Sequence, residues 1–410
     1  MLRLNHKTST EDFVLLVVPQ PPCLHPIVVS SSTAYMLETR AYQSSGRTTL
    51  VMIVRAWLLI ISMVAFVRGA RSSRNFRDLF MLTNIRLQSQ NASKTTSSAK
   101  PNDDLLRQQR VQYSTSAGEI IDVEAVFQDT LPSGSSLGTV VAIHGAPGSH
   151  KDFKYVTPLL QKKGIRFIGV NMPGFGFTPG DSRLKCDNME RNNFVHGLLS
   201  KIAVTEKVVI MGHSRGTENA ANVAAWNTEK LSGLVLLNPT GLQFHRGMRP
   251  FWAIKSVLTL YSLGSIVQRM INPIMKYIYN NVLGLRLDSG ERAMMCLRTM
   301  YNLEYEKAMR PSIDAINRAK NVRVLILYSG KDPLIEETIP QELASSFLDH
   351  KELVYEEKSD AGEQYVTERI KDFYAGGART ISVNFKKDGH FLQRDRAHII
   401  ADGVEAMLRS

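Results

Sequence analysis

Cysteine is scarce: the 410 residues hold three, Cys23, Cys186 and Cys296. Their odd number and wide spacing imply no disulfide framework, and a reducing compartment fits that usage. No CxxC pair or Cys/His spacing points to a metal site, so no metal and no cofactor is expected. Acidic residues are scarce at the start of the chain. Residues 1–100 carry 4 Asp and Glu against 12 Lys and Arg, which is +8 of the total net charge of +12. The rest of the chain is nearly balanced, and nucleic acid is set aside as a partner.

Residues 1–103 read as a largely disordered leader, rich in Ser and Thr, with no sustained period. Within it lies "LVMIVRAWLLIISMVAFV" at 50–67, apolar apart from Arg55. Three readings of this run compete. As a transmembrane helix it just reaches the required length, and Arg68, Arg71, Arg74 and Arg77 would keep the C-terminal side in the cytosol. With translation from Met52 it resembles a signal peptide, although the arginines after the apolar core and the missing A-x-A site weigh against that. The third reading is a mitochondrial transit segment, because 68–100 is rich in Arg and Ser and holds one acid, Asp78. Membrane association is the preferred expectation and a mitochondrial location the alternative. Asn91-Ala-Ser is a glycosylation sequon that matters only in a lumenal segment.

From about residue 104 the pattern becomes orderly. "VQYSTSAGEIIDVEAVFQD" reads as two strands turning at Gly118. Short apolar runs follow at 138–145, 164–174, 206–214, 231–239, 321–330 and 379–385, each ending near Gly, Pro or Asn. Such runs predict fully buried parallel strands, and the segments between them are long enough for crossover helices. The expected fold is α/β: a doubly wound, mostly parallel, eight-stranded sheet. Ligands in such sheets bind outside the carboxyl ends of the strands. About eighty residues separate the sixth strand from the next, and 243–318 reads as a mainly helical cap inserted after it. The core is then 104–242 together with 319–410.

The strand ends carry the chemistry. Gly212-His213-Ser214-Arg215-Gly216 matches G-x-S-x-G, a pattern that is weak alone. Here it follows an apolar strand and opens "TENAANVAA", a helix with small residues where it must press on the sheet. That context makes Ser214 a candidate nucleophile, with Gly212 and Gly216 placed where side chains would collide. The Arg215 backbone N–H would point into the site, and Ala146 in "HGAPGSHKDF" is placed to supply a second oxyanion donor. His144 and His150, on that same turn, make a poor metal pair. Asp332, three residues beyond the strand in "LILYSGKDPLIEE", is the expected acid; the stretch after the sixth strand, "LLNPTGL", has no carboxylate. Of the histidines after Asp332, only His390 in "KKDGHFLQ" follows a strand in a loop and opens a helix, as a base delivered to the site requires. His350 and His398 lack that placement, and Asp388 reads as a turn residue.

At this point the chain resembles the α/β-hydrolase fold family, on "HGAPGS", "NMPGFGFT", "GHSRG", "YSGKDPLI" and "DGHFLQ", in order, over roughly residues 110–410. It is similar in particular to a nematode group of α/β-hydrolase-like proteins of undetermined function. The resemblance implies a Ser214–His390–Asp332 triad, an oxyanion hole from the Ala146 and Arg215 N–H groups, and a cap over the site. Asn171 stands where relatives commonly carry Asp, at a position that supports the loop. The expected activity is that of a serine hydrolase, esterase- or lipase-like, acting on a small-molecule or lipid ester through an acyl-enzyme at Ser214. The alternative is a non-catalytic ligand-binding or scaffold protein of the same fold. Residues 243–287 contain no Asp or Glu but six Arg and Lys. With Trp252 and many aliphatic residues, this composition suggests a cap meeting an anionic membrane surface, or else a buried helix pair with solvated basic tips.

Overall fold

Alternation ends and continuous apolar character begins where the sheet passes from its rim to its centre. β1 (Leu106–Ser114) and β2 (Ile120–Asp129) bury every second residue in part, as strands with one covered face do. β3 (Thr139–Ile143), β4 (Arg166–Val170) and β5 (Val208–His213) are buried at every position. β6 (Leu231–Leu237), β7 (Arg323–Ser329) and β9 (Thr380–Phe385) are nearly or wholly so, while β8 (His350–Tyr355) is not. The computed structural model describes residues 105–409, apart from 203, 205, 206 and 357. The leader, including the 50–67 run and the readings attached to it, lies outside these residues. Among the described residues no helix is long and apolar enough to cross a membrane.

The sheet order is β1-β2-β4-β3-β5-β6-β7-β9-β8. β1–β2 and β2–β4 are antiparallel and every other pairing is parallel. The expected doubly wound sheet is present, with nine strands among the described residues instead of eight. The additional one is β8, "HKELVY", an edge strand paired only with β9, in which Leu353 and Tyr355 alone are buried. An edge needs one apolar face, so no continuous apolar run marks it.

Helices cover both faces. On one side Val209, Met211, Val235, Leu325 and Val383 meet Ile400, Val404 and Met407 in a shared core. Those last three belong to the terminal helix, Ala397–Arg409. Neighbouring positions on the same strands face the other way: a Cβ on Gly212 would strike Ala220 of the helix Gly216–Trp226. In chain order the helices that matter below are α1 (Asn188–Lys201), α2 (Gly216–Trp226), α3 (Phe251–Tyr261), α4 (Ser265–Tyr277), α5 (Gly290–Tyr301) and α6 (Glu306–Arg318). The last four fill the interval between β6 and β7. α6 packs against α2, on the face of the sheet, whereas α3, α4 and α5 pack chiefly on one another. Trp252, Ile266 and Tyr277 on α3 and α4 are exposed.

Candidate active site

The turn from β5 into α2 puts Ser214 in the left-handed region, with φ +52. A side chain there costs on the order of 1–2 kcal/mol, so the surroundings must hold it. They do so from both sides: the Ser214 N–H donates to the Leu237 carbonyl at 2.9 Å, and the Thr217 hydroxyl donates to the Ser214 carbonyl at 2.6 Å. A Cβ on Gly216 would lie 2.4 Å from the Ile143 carbonyl oxygen, and one on Gly212 would lie 2.7 Å from Ala220 Cβ. Both glycines are therefore required by sterics, as the sequence suggests. Ser214 is 8% exposed, and its Oγ makes no hydrogen bond with any described residue.

Asp332 and His390 meet directly. Asp332 Oδ2 lies 2.6 Å from His390 Nδ1, and Asp332 Oδ1 accepts from the Leu334 and Ile335 N–H groups at 2.8 and 3.1 Å. Burial alone would raise the Asp332 carboxyl; the adjacent His390 and these donors outweigh it and hold the carboxyl below its ordinary value. The main chain of the histidine loop is tied to three strand ends. The Gly389 carbonyl accepts from Ser329 Oγ at 2.7 Å, and the His390 carbonyl accepts from Asn238 Nδ2 and from His213 Nε2, each at 2.9 Å. The His213 and His390 rings are 4.9 Å apart, which brings the residue before Ser214 against His390. No Ser214–His390 hydrogen bond is formed among the described residues.

Ala146 follows Gly145, on which a Cβ would lie 3.2 Å from Ser214 Cβ. The contact would be tighter than an ordinary Cβ contact, and it brings this loop beside the serine. The Ala146 and Arg215 N–H groups have no protein acceptor among the described residues, so both are available to an oxyanion. The loop is braced from behind. His144 Nδ1 faces the Gly145 carbonyl at 2.6 Å, and its Nε2 accepts from the Met172 N–H at 3.1 Å. Burial lowers the His144 pKa to about 3, which keeps it neutral for this double role. Asn171 accepts from the His150 N–H at 2.9 Å and donates to the Val126 carbonyl at 2.9 Å, tying the end of β4 to β2 and to the loop.

A cavity of about 490 Å³ reaches the neighbours in sequence of Ala146 and His390, although Ser214, Asp332 and His390 do not themselves line it. Pro147 and Gly148, just after Ala146, form one wall, and Phe391, just after His390, forms another. The far side comes from Leu285, Leu287 and Arg292 of the segment between β6 and β7. Its size suits a small ligand.

The sequence model of the family described as "Alpha/beta hydrolase of unknown function (DUF1057)" matches residues 104–409. The chain belongs to this family. A Caenorhabditis elegans relative, the uncharacterized protein F35H12.5, is 32% identical over 315 residues, covering 74% of this chain and 87% of its own length. Among solved structures, a thermophilic esterase from Thermogutta terrifontis superposes with a TM-score of 0.50 at 16% identity, covering 74% of this chain and 98% of its own. The ancestral haloalkane dehalogenase AncHLD2 gives 0.51 at 14% identity, with 74% and 98% covered. These likenesses concern the fold, which hosts both chemistries.

Several residues of this α/β hydrolase escape a sequence reading. His213, Asn238 and Ser329 end their strands as polar residues after apolar runs, and that position is the one signal they give. Arg215 is wholly buried. Its guanidinium reaches Asn188 Oδ1 at 2.9 Å, Glu218 Oε2 at 3.2 Å and the Thr299 carbonyl at 3.2 Å. The residue that follows Ser214 thus joins α1, α2 and α5. Asp388 is more than a turn residue: it is buried and paired with Arg396 at 2.6 Å and Lys358 at 2.8 Å. His350 lies apart, at 2.7 Å from Ser382 Oγ on the far edge of the sheet.

Proposed function

We propose that the chain is a serine hydrolase that cleaves a carboxylic ester through an acyl-enzyme at Ser214. The observation that carries this reading is the buried Asp332–His390 pair, tied by its backbone to the strand that ends in the strained Ser214 turn. With Nδ1 donating to Asp332, His390 Nε2 is free to accept the Ser214 Oγ proton. Oγ then bonds to the substrate carbonyl carbon, and the resulting oxyanion accepts from the Ala146 and Arg215 N–H groups. His390 returns its proton to the departing alkoxide. Water, deprotonated by the same ring, attacks the acyl group and frees Ser214. An Asp nucleophile, as epoxide or haloalkane chemistry uses on this fold, has no counterpart at position 214.

The test is labelling of the full chain with a fluorophosphonate probe. Wild type is expected to label at Ser214, and Ser214→Ala to be blank. A properly folded wild type that does not label favours the alternative, a ligand-binding protein without turnover.

A further inference from the structure

The cavity that reaches the chain neighbours of Ala146 and His390 is lined by three cations, Lys154, Arg286 and Arg292, against a single carboxyl, that of Asp152. Lys154 comes from the oxyanion-loop side; Arg286 comes from the stretch leading into α5 and Arg292 from the first turn of α5. Arg292 also lies 3.3 Å from Asp288, but that carboxylate is 64% exposed, and such a pair is weak and easily exchanged. The Arg292 guanidinium additionally approaches the Gly176 carbonyl at 3.4 Å. Lys154 rests its ammonium 5.0 Å from the Tyr155 ring centre. Asp152 accepts from the Ser149 N–H at 3.3 Å, and burial raises its carboxyl to about 7, opposed by that hydrogen bond and by His390. The lining between the cations is apolar, from Phe175, Leu285 and Leu287.

We infer that this cavity is an anion subsite, and that the preferred substrate is an ester bearing a carboxylate or phosphate some atoms away from the scissile carbonyl. This inference rests on the hydrolase reading for where that carbonyl sits. Two arginines from one short stretch give planar, forked donors suited to such a group, and Leu285 and Leu287 give its connecting carbons an apolar wall. The absence of Asp and Glu from 243–287 leaves nothing on that side to repel the anion before Asp288.

The experiment compares two esters of equal acyl length, p-nitrophenyl butyrate and mono-p-nitrophenyl succinate, on the full chain. The charged ester is expected to have the higher kcat/KM, by about tenfold at low salt, with the preference shrinking as salt is raised. In the double variant Arg286→Gln/Arg292→Gln the ratio of charged to neutral ester should fall by about tenfold; Arg286→Lys/Arg292→Lys should retain part of it. Equal rates for the two esters, or a ratio untouched by the Gln variant, overturn the subsite while leaving the hydrolase intact. A second arm needs no turnover. Calorimetric titration of Ser214→Ala with monomethyl glutarate and with dimethyl glutarate should show binding of the anion only, weakened in the Gln background. That result with no esterase activity in wild type keeps the subsite and refutes the hydrolase; no anion binding and no charge preference refute the subsite.

Discussion

Asp332 Oδ2 stands 2.6 Å from His390 Nδ1, and both groups are almost fully buried. The pair fixes the imidazole tautomer, because an acceptor at Nδ1 requires the proton there. Asp332→Asn presents a donor to that nitrogen in one orientation and favours the opposite tautomer. The expected result is a fall in kcat of about 10³–10⁴-fold with the fold retained, measured by ester turnover beside circular dichroism. A loss under tenfold removes Asp332 from this role.

Ser214→Gly separates chemistry from strain. Glycine adopts φ +52 without penalty, so the variant should lose all probe labelling yet gain roughly 1 kcal/mol of stability in urea unfolding. A variant less stable than wild type means that the turn is not strained by its side chain.

Gly216→Ala should be far more harmful than its size suggests. The added methyl would meet the Ile143 carbonyl at 2.4 Å and the His144 carbonyl at 2.6 Å, both rigid strand-end backbone. The cost should be about 3 kcal/mol or more, read as a lowered urea midpoint or as insoluble expression.

Removing the Arg215 guanidinium takes from the buried Glu218 carboxylate its cation, leaving only the Asn192 and Asn219 amides to donate to it, and takes from the Thr299 carbonyl its guanidinium donor. Arg215→Met should cost about 3–5 kcal/mol, and adding Glu218→Gln should restore much of it. A double variant no more stable than the single one shows that the penalty lies in packing and not in an orphaned charge.

Two signs of pH dependence are built in. Burial holds His144 and His213 near a pKa of about 3, against 6.5 for a free imidazole. The unfolded chain binds protons that the folded chain refuses, so this stability is present above 6.5 and is lost as pH falls from there toward 3. Asp152 runs the other way: its carboxyl is raised from 3.8 to about 7, so its contribution is present below 3.8 and is lost as pH rises through 7. Asp152→Asn should therefore stabilise the chain more at pH 8 than at pH 5 in urea titrations. Equal effects at both pH values mean that the carboxyl is not desolvated.

The central strands were legible because burial on both faces forces continuous apolar runs with abrupt polar ends. Ser214, Asp332 and His390 were legible for the same reason, since each follows such an end. The segment of β8 reads as a connecting strand but could not be counted into the sheet because half of it faces solvent, and α6 could not be told from α3 to α5 because an apolar helical face does not say what it will pack against. Arg215, Asn188 and Glu218 look like surface residues by type. Only the tertiary structure shows that they satisfy one another below the nucleophile turn.

None of the four contacts that hold Gly389 and His390 at the strand ends touches the imidazole; all of them grip carbonyl oxygens. The position of residue 390 is thus written in main chain, and what stands there in one side chain. A single codon at 390 can exchange that side chain while the address stays put.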